Sequence, residues 1–267
     1  MENASTPVEA EAVEIVKVRG NRRGRQRDLV VNEAIYTIVV NGTKVASLAC
    51  TPSDLESLAV GFLTSERVIK SFADVQKISV KGDECAVEVE TRGKIESTAT
   101  GRIATIVSGC GSAATSPAGG LLELLRAWKV TSKLTVSASS IVTIVKDFQK
   151  ASGLFRLTGG VHSAAICEPG GIILFKDDIG RHNAVDKVLG TCSIKGIPTK
   201  DKILLLTGRV SSDVLMKAVL REMPIVVSQS APTHLAMELA SESGTTLVGF
   251  ARGEGMNVYS HEWRIGS

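Results

Sequence analysis

The sequence predicts an α/β protein in two parts, a smaller β-rich α+β unit over residues 13–107 and a larger α/β unit over residues 121–267. In IYTIVVNGTKVASLACT, Asn41 and Gly42 stand between two runs rich in β-branched residues, which is the pattern of a tight hairpin. Beyond Ser139, helical and strand periods alternate, which builds a sheet covered by helices with its later strands parallel. Between the two parts, GRIATIVSGCGSAATSPAGG ends in small residues, a proline and paired glycines, so residues 108–120 read as a flexible loop.

Each element follows from its own pattern. The first dozen residues are polar and acidic, predict a frayed terminus and lack the basic start and apolar run of a secretory signal. NRRGRQR at 21–27 is a local basic patch that reads as a solvated connector. Thr51 is placed to cap a helix that begins at Pro52, ends near Arg67 and carries Leu55, Leu58, Ala59, Phe62 and Leu63 on one face. KISVKGDECAVEVET alternates apolar and polar residues and predicts a second hairpin around Gly82-Asp83. After a short apolar helix in LLELLRAWK, the second half reads SSIVTIVKDFQKA (helix), VHSAAICE and GIILFKD (strands), and NAVDKVLGTC (helix). It continues KILLLTG (strand), SSDVLMKAVLRE (helix), PIVVS (strand), THLAMELASES (helix) and TTLVGFA (strand).

With 267 residues, 43% of them hydrophobic, the chain can bury a sizeable core. Its 31 basic and 28 acidic residues give a net charge of +3, too small for a general nucleic-acid binder. No apolar run approaches the roughly 18–20 residues that cross a bilayer. A cytoplasmic protein without membrane or nucleic-acid partners is expected. The five cysteines are scattered without a CxxC pair, which argues against a disulfide framework and against a paired-cysteine zinc site. Cys50, Cys85, Cys167 and Cys192 adjoin strand-like or apolar residues and read as small buried hydrophobes. Cys110 differs: in SGCGSAATS nothing bulky shields its sulfur, and Gly109 and Gly111 give the backbone freedom to swing.

The remaining chemistry falls at strand-to-helix junctions, where ligands of open α/β sheets gather. LTGGVHSA places Gly160 just before His162, and DDIGRHNAVDK brings Asp177, Asp178, Arg181, His182 and Asn183 to a helix start, where an ion pair of the carboxylates with Arg181 competes with acid/base work. LTGRVSSDVLMK runs a buried strand into Gly208 and Arg209, then offers Ser211 and Ser212 at another helix start; VSQSAPTH repeats this with Ser228, Ser230 and Thr233. Helix N-termini present free N–H groups and arginine binds phosphate in a forked fashion, so these junctions suit an anion. Each alone is equally capping and turn chemistry. His234 and His261 read as structural. The last junction, TTLVGFARGEGMNVYS, sets Arg252 among glycines that let a flat ring or phosphate approach the backbone.

Taken together, FRLTGGVHSAAIC, DDIGRHNAVDKVLG, LLLTGRVSSDVLMK, VSQSAPTHLAMELA and TTLVGFARGEGMNVYS resemble the formate dehydrogenase accessory sulfurtransferase family, FdhD/NarQ. The likeness continues through TPSDLESLAVGFLTSERVI and spans nearly the whole chain. It implies a three-layer, cytidine deaminase-like α/β/α larger domain and a homodimer. It also implies an enzyme that takes sulfur from a cysteine desulfurase as a persulfide on Cys110. The acceptor implied is the molybdenum bis-molybdopterin guanine dinucleotide cofactor, before its insertion into formate dehydrogenase. The cofactor-binding segment of the family corresponds to Phe250, Ala251, Arg252, Gly253, Glu254 and Gly255, with a guanine nucleotide such as GDP as a partial mimic. The junction residues Gly160, His162, Arg181, His182, Asn183, Gly208, Arg209 and Ser211 complete the expected binding set.

One departure matters, because many members carry a second cysteine three residues after the first and this chain has Ala113 there. A two-thiol relay is thereby excluded, whereas a single-thiol persulfide relay needs only one nucleophilic sulfur. Two other classes compete. A deaminase-like zinc hydrolase needs H-x-E with P-C-x-x-C, and neither is present. A noncatalytic cofactor-binding chaperone for formate dehydrogenase needs no thiol, and Cys110→Ala separates it from transfer.

Overall fold

The computed structural model describes residues 9–93, 104–106 and 128–266. The Cys110 loop and nearly all of LLELLRAWK lie outside the described residues. The first described element is a two-stranded ribbon, β1 (Ala10–Arg19) and β2 (Arg22–Val31), so the frayed terminus expected over the first dozen residues gives way to strand from Ala10. NRRGRQR differs from the expected connector: each residue from Arg22 to Arg27 pairs with β1, so the basic patch is an exposed strand.

A five-stranded sheet follows, in the order β5-β6-β3-β4-β7. Its strands are β3 (Ala34–Val40), β4 (Thr43–Cys50), β5 (Val75–Lys81), β6 (Ala86–Thr91) and β7 (Ala104–Ile106). The Asn41-Gly42 hairpin forms as expected, with φ of 48° and 79° at the two turn residues, the left-handed pair that a two-residue turn requires. The second hairpin also forms, with Lys81 opposite Ala86. Its four-residue turn leaves Cys85 exposed with φ 47°, where a buried sulfur was expected; the turn lifts the residue off the pleated face before β6 begins.

Helix α1 (Leu55–Ser65) packs Leu55, Leu58, Phe62 and Leu63 against Ile38, Val40, Leu48, Val87 and Val89 of this sheet. Burial of each such side chain stabilises by about 1.5–3 kcal/mol. Thr51 does not cap this helix. The residue before it is Asp54, in the left-handed region and without a capping side-chain bond, because the Thr51 hydroxyl is drawn into a buried polar cluster with Asp178 and Lys187.

The larger sheet has six strands in the order β10-β9-β11-β12-β13-β14. These are β9 (His162–Glu168), β10 (Gly171–Asp178), β11 (Ile203–Leu206), β12 (Ile225–Ser228), β13 (Thr246–Arg252) and β14 (Gly255–Ser260). β11, β12 and β13 run parallel, as the alternation predicted. Parallel strands covered on both faces are uniformly apolar, which explains ILLL and IVVS. On one face Ile141, Ile144, Val145 and Phe148 of α2 (Ala138–Ala151) meet Ala165, Cys167, Leu205 and Val227. α3 (Gly153–Thr158) follows α2 and leads to β9. The opposite face carries α4 (Arg181–Lys195), α5 (Ser212–Val219) and α6 (His234–Ser243), through Val185, Leu189, Leu215 and Leu239 packed on Ile166, Leu204, Leu206 and Val226. β8 (Val136–Ser137) and β15 (Ile265–Gly266) pair beside α2. The architecture is therefore mixed α/β, with the second sheet between helices.

The helices α1 and α4 cross at two glycines. A methyl carbon on Gly61 would lie 1.9 Å from the Asp186 carbonyl oxygen, and one on Gly190 would lie 1.9 Å from that of Ser57. No other residue permits this approach, which locks α4, and with it Arg181 and His182, onto the first sheet's helix.

Candidate anion-binding edge

The strand ends bring the sequence-selected junctions to one edge of the larger sheet. His162 begins β9 directly opposite Asp178, the last residue of β10. The next strand leaves at Leu206 into Thr207, whose hydroxyl lies 3.2 Å from His162 Nδ1 and accepts from Ser163 N at 3.0 Å. Gly208 follows and is needed: a methyl there would stand 2.8 Å from Arg181 Cβ, so the arginine stem lies across the loop. The loops after β11 and β12 stay zipped, Val210 N donating to Ala231 O and Thr233 N to Val210 O, while the Ser228 hydroxyl donates to Gly208 O at 2.7 Å. Phe250 N donates to Ser230 O at 3.1 Å, which joins the end of β13 to the same ridge.

This edge is electropositive. Burial and the nearby Arg181 push the His162 imidazole below its usual range, and burial with Arg181, Lys217 and His162 pushes His182 down to about 3. Both rings are therefore neutral near pH 7, ready to donate or accept a hydrogen bond without adding charge. The buried atoms His182 Nε2, Ser211 Oγ and Gln229 Nε2 have no protein partner among the described residues, and a buried polar atom left so costs free energy until something binds it. Helices α4 and α5 both begin here without a side-chain cap, at Gly180 and Ser211, which leaves first-turn amides for an anion.

The expected binding residues divide. His162, Arg181, His182, Gly208 and Ser211 gather at the edge, Arg209 is exposed beside it, and Gly160 lies at its rim against Val31. Phe250 is 38% exposed at φ 52°, with the Arg252 guanidinium 5.9 Å from its ring centroid. Gly253 and Gly255 are exposed, Ala251 is buried in the core, and Glu254 pairs with Lys146 of α2. Asn183 turns inward: its amide donates to Ala49 O at 2.8 Å and to Asp178 Oδ1 at 2.9 Å. Asp178 is structural as well, and the cation facing it is Lys187 at 2.7 Å. Asp177 accepts from the Ser163 and Ser152 hydroxyls, and burial raises its carboxyl above the usual range. Of the histidines read as structural, His234 faces Glu238 and His261 Nε2 lies 2.9 Å from Ser241 O. Thr207 and Gln229 carry no sequence signal of their own although each sits inside a selected junction; only their orientation distinguishes them.

Among the described residues no three His, Cys, Asp or Glu side chains cluster as a metal site, and no helix is long and apolar enough to cross a membrane. Burial raises the thiols of Cys50 and Cys167 to about 12 and that of Cys192 to about 11. These sulfurs are protonated and shielded. Cys110 lies outside the described residues.

Residues 31–266 match the FdhD/NarQ family, a span that takes in every junction of this edge. The chain belongs to the FdhD/NarQ family. Curated FdhD relatives named "Sulfur carrier protein FdhD" include one from Geobacillus kaustophilus, 37% identical over 252 residues, covering 94% of this chain and 95% of the relative. Another, from Bacillus pumilus, is 39% identical over 241 residues, covering 89% of this chain and 90% of the relative. Among solved structures, that of a candidate formate dehydrogenase accessory protein from Desulfotalea psychrophila superposes with a TM-score of 0.79 at 26% identity. The superposition covers 96% of this chain and 99% of that one. The FdhD/NarQ match begins at Val31, the last residue of β2, so the rest of the β1–β2 ribbon precedes it.

Proposed function

We propose that this protein is a sulfur carrier for formate dehydrogenase. Cys110 takes sulfur as a persulfide from a cysteine desulfurase and gives it to molybdenum bound by two molybdopterin guanine dinucleotides. The observation that carries this reading is near full-length similarity to sulfur carrier proteins combined with an electropositive, partner-poor sheet edge. Strand direction supports the role of Cys110. β7 runs parallel to β4, with Ile106 beside Leu48, and β4 ends just before Thr51, which bonds to Asp178 opposite His162. Cys110 stands four residues beyond Ile106, and four residues of chain reach at most about 14 Å.

In the loading step the Cys110 thiolate attacks the outer sulfur of the donor's persulfide; the donor's S–S bond breaks and its thiolate leaves. In the delivery step the new S–S bond breaks, Cys110 departs as thiolate, and the sulfur reaches the metal as sulfide with two electrons from the metal or a thiol reductant. The substrate's phosphates are assigned to Arg209, Arg252 and the starts of α4 and α5, and its guanine to the exposed Phe250 ring. His162, His182, Ser211 and Gln229 serve as uncharged hydrogen-bonding partners. Ala251, Gly253, Glu254 and Gly255 shape the hairpin beside them, and Gly160 borders it. We read the layers of the larger unit as cytidine deaminase-like, the divisions 13–107, 108–120 and 121–267 as functional units, and the working form as a cytoplasmic homodimer.

Mass spectrometry after incubation with a cysteine desulfurase and cysteine tests the reading. One added sulfur on the Cys110 peptide is expected; sulfur on Cys167 or Cys192 instead would move the site. Cys110→Ala is expected to bind GDP and to leave formate dehydrogenase inactive. Full activation by that variant refutes transfer in favour of a cofactor chaperone.

A further inference from the structure

The strands β1 and β2 are ten residues each and reach roughly 30 Å. Their base is held: Asn32 N donates to Glu9 O at 2.7 Å, and Val31 packs on Gly160 so closely that a methyl there would be 2.6 Å from Val31 Cγ1. Gly160 stands two residues before His162, so the ribbon springs from the rim of the candidate site. Toward the tip, every residue from Lys17 to Asp28 is exposed. Residues 17–27 include Lys17, Arg19, Arg22, Arg23, Arg25 and Arg27 and no carboxylate. Without these six the chain would hold 25 basic against 28 acidic residues, so its net positive charge is concentrated on the ribbon.

Ladder register sorts the side chains by face. Val18 is opposite Arg23, Val16 opposite Arg25 and Glu14 opposite Arg27, and residues paired across an antiparallel ladder share a face. Val16 and Val18 are 52% and 57% exposed. On the other face Arg19 stands opposite Arg22, a like-charge pair that weakens a ribbon already marginal by itself. Among the described residues none of the six cations enters an ion pair. Such a surface carries an electrostatic cost in the free protein that a carboxylate-bearing partner removes.

We propose that the ribbon is a docking arm for an acidic face of the protein that donates sulfur, a proposal that rests on the sulfur-carrier reading above. Arginine forks match carboxylates, and Val16 and Val18 beside them fit an aliphatic patch at the centre of that face. The ribbon has no aromatic ring to stack on a base or anchor at a bilayer interface, which favours a protein over a nucleic acid or a membrane. Charge on an exposed arm speeds encounter more than it prolongs residence, which suits a donor that must leave in every cycle. Because the arm's base adjoins Gly160, a donor held there is brought to the edge toward which β7 runs.

Binding of the full chain to purified cysteine desulfurase from the same cell, followed by fluorescence anisotropy from about 0.05 to 0.3 M salt, tests the arm. Wild type is expected to bind more weakly as salt rises. The variant R23E/R25E/R27E is expected to lose at least about tenfold in affinity and most of the salt dependence. Val16→Ser with Val18→Ser is expected to lose about threefold with the salt slope kept. Circular dichroism matching wild type establishes that the variants are folded. Unchanged affinity in the arginine variant overturns the docking arm, as does wild-type binding of equal strength to phosphatidylserine vesicles or duplex DNA. Loading of Cys110 by inorganic polysulfide, which bypasses docking, is read in parallel. If polysulfide loads Cys110 while the arginine variant docks normally, only the arm is refuted; if neither route loads Cys110, the carrier reading itself fails.

Discussion

Asp178 and Lys187 face each other at 2.7 Å, both wholly buried, with Thr51 between the two halves of the chain bonding to each of them. Removing one member of such a pair strands the other charge in the interior. Lys187→Met is therefore expected to lower stability by about 3–5 kcal/mol, read from urea unfolding. A loss below about 1 kcal/mol would mean that water reaches Asp178.

The crossing of α1 and α4 predicts an intolerance of small additions. Gly61→Ala and Gly190→Ala each drive a methyl to 1.9 Å from a backbone carbonyl oxygen, which only a shift of a whole helix relieves. Each is expected to cost at least about 3 kcal/mol, and thermal unfolding of the purified variants checks it. Gly82→Ala, at a turn with open space around it, serves as the control and is expected to behave as wild type.

His182 should make the fold acid-sensitive. Its pKa is about 3 in the folded state against 6.5 for the free side chain, so below pH 6.5 the unfolded chain binds the extra proton. Stability then falls as pH drops from about 6.5 toward 3, by up to about 1.4 kcal/mol per pH unit for this one proton. His182→Gln is expected to flatten that part of the curve. An unchanged slope between pH 4 and 6 would mean that the imidazole is solvated.

Thiol labelling separates the cysteines. In a Cys110→Ala background at pH 7.5, iodoacetamide is expected to modify the exposed Cys85 and to spare Cys50, Cys167 and Cys192 until denaturant is added. Peptide mass spectrometry reads the outcome, and rapid labelling of Cys167 would contradict its burial in the sheet.

Gly208→Ala tests the anion-binding edge without removing a functional group. The new methyl meets the Arg181 stem at 2.8 Å and displaces it, so GDP affinity measured by calorimetry is expected to fall about tenfold. Equal affinity would detach Arg181 and this loop from the nucleotide.

Much of the fold was legible locally. Asn41-Gly42 needs only its own two backbone conformations to make the turn, and ILLL and IVVS declare strands buried on both faces whatever surrounds them. Thr51 was misread because its hydroxyl suits a helix cap as well as it suits Asp178, 127 positions away. Cys85 was misread because apolar neighbours in β6 suggested burial, while the turn geometry that exposes it belongs to Gly82 through Cys85. Asn183 shared a motif with Arg181 and His182, yet one step along a helix turns a side chain by about 100°, enough to aim it at Ala49 and away from the edge.

By itself the sequence determined most strands and helices, the Asn41-Gly42 turn and the residue types waiting at each strand end, since these depend on neighbours within a few positions, but not the second strand of the ribbon, α3 or β14. Tertiary structure alone decided which of those residues meet. It paired Thr51 with Asp178, laid Arg181 over Gly208, left His182 Nε2, Ser211 Oγ and Gln229 Nε2 without partners among the described residues, and set the charged ribbon beside Gly160. The reason is physical: capping and binding use the same polar groups, and only long-range packing determines whether a given group is satisfied within the protein or left for a ligand.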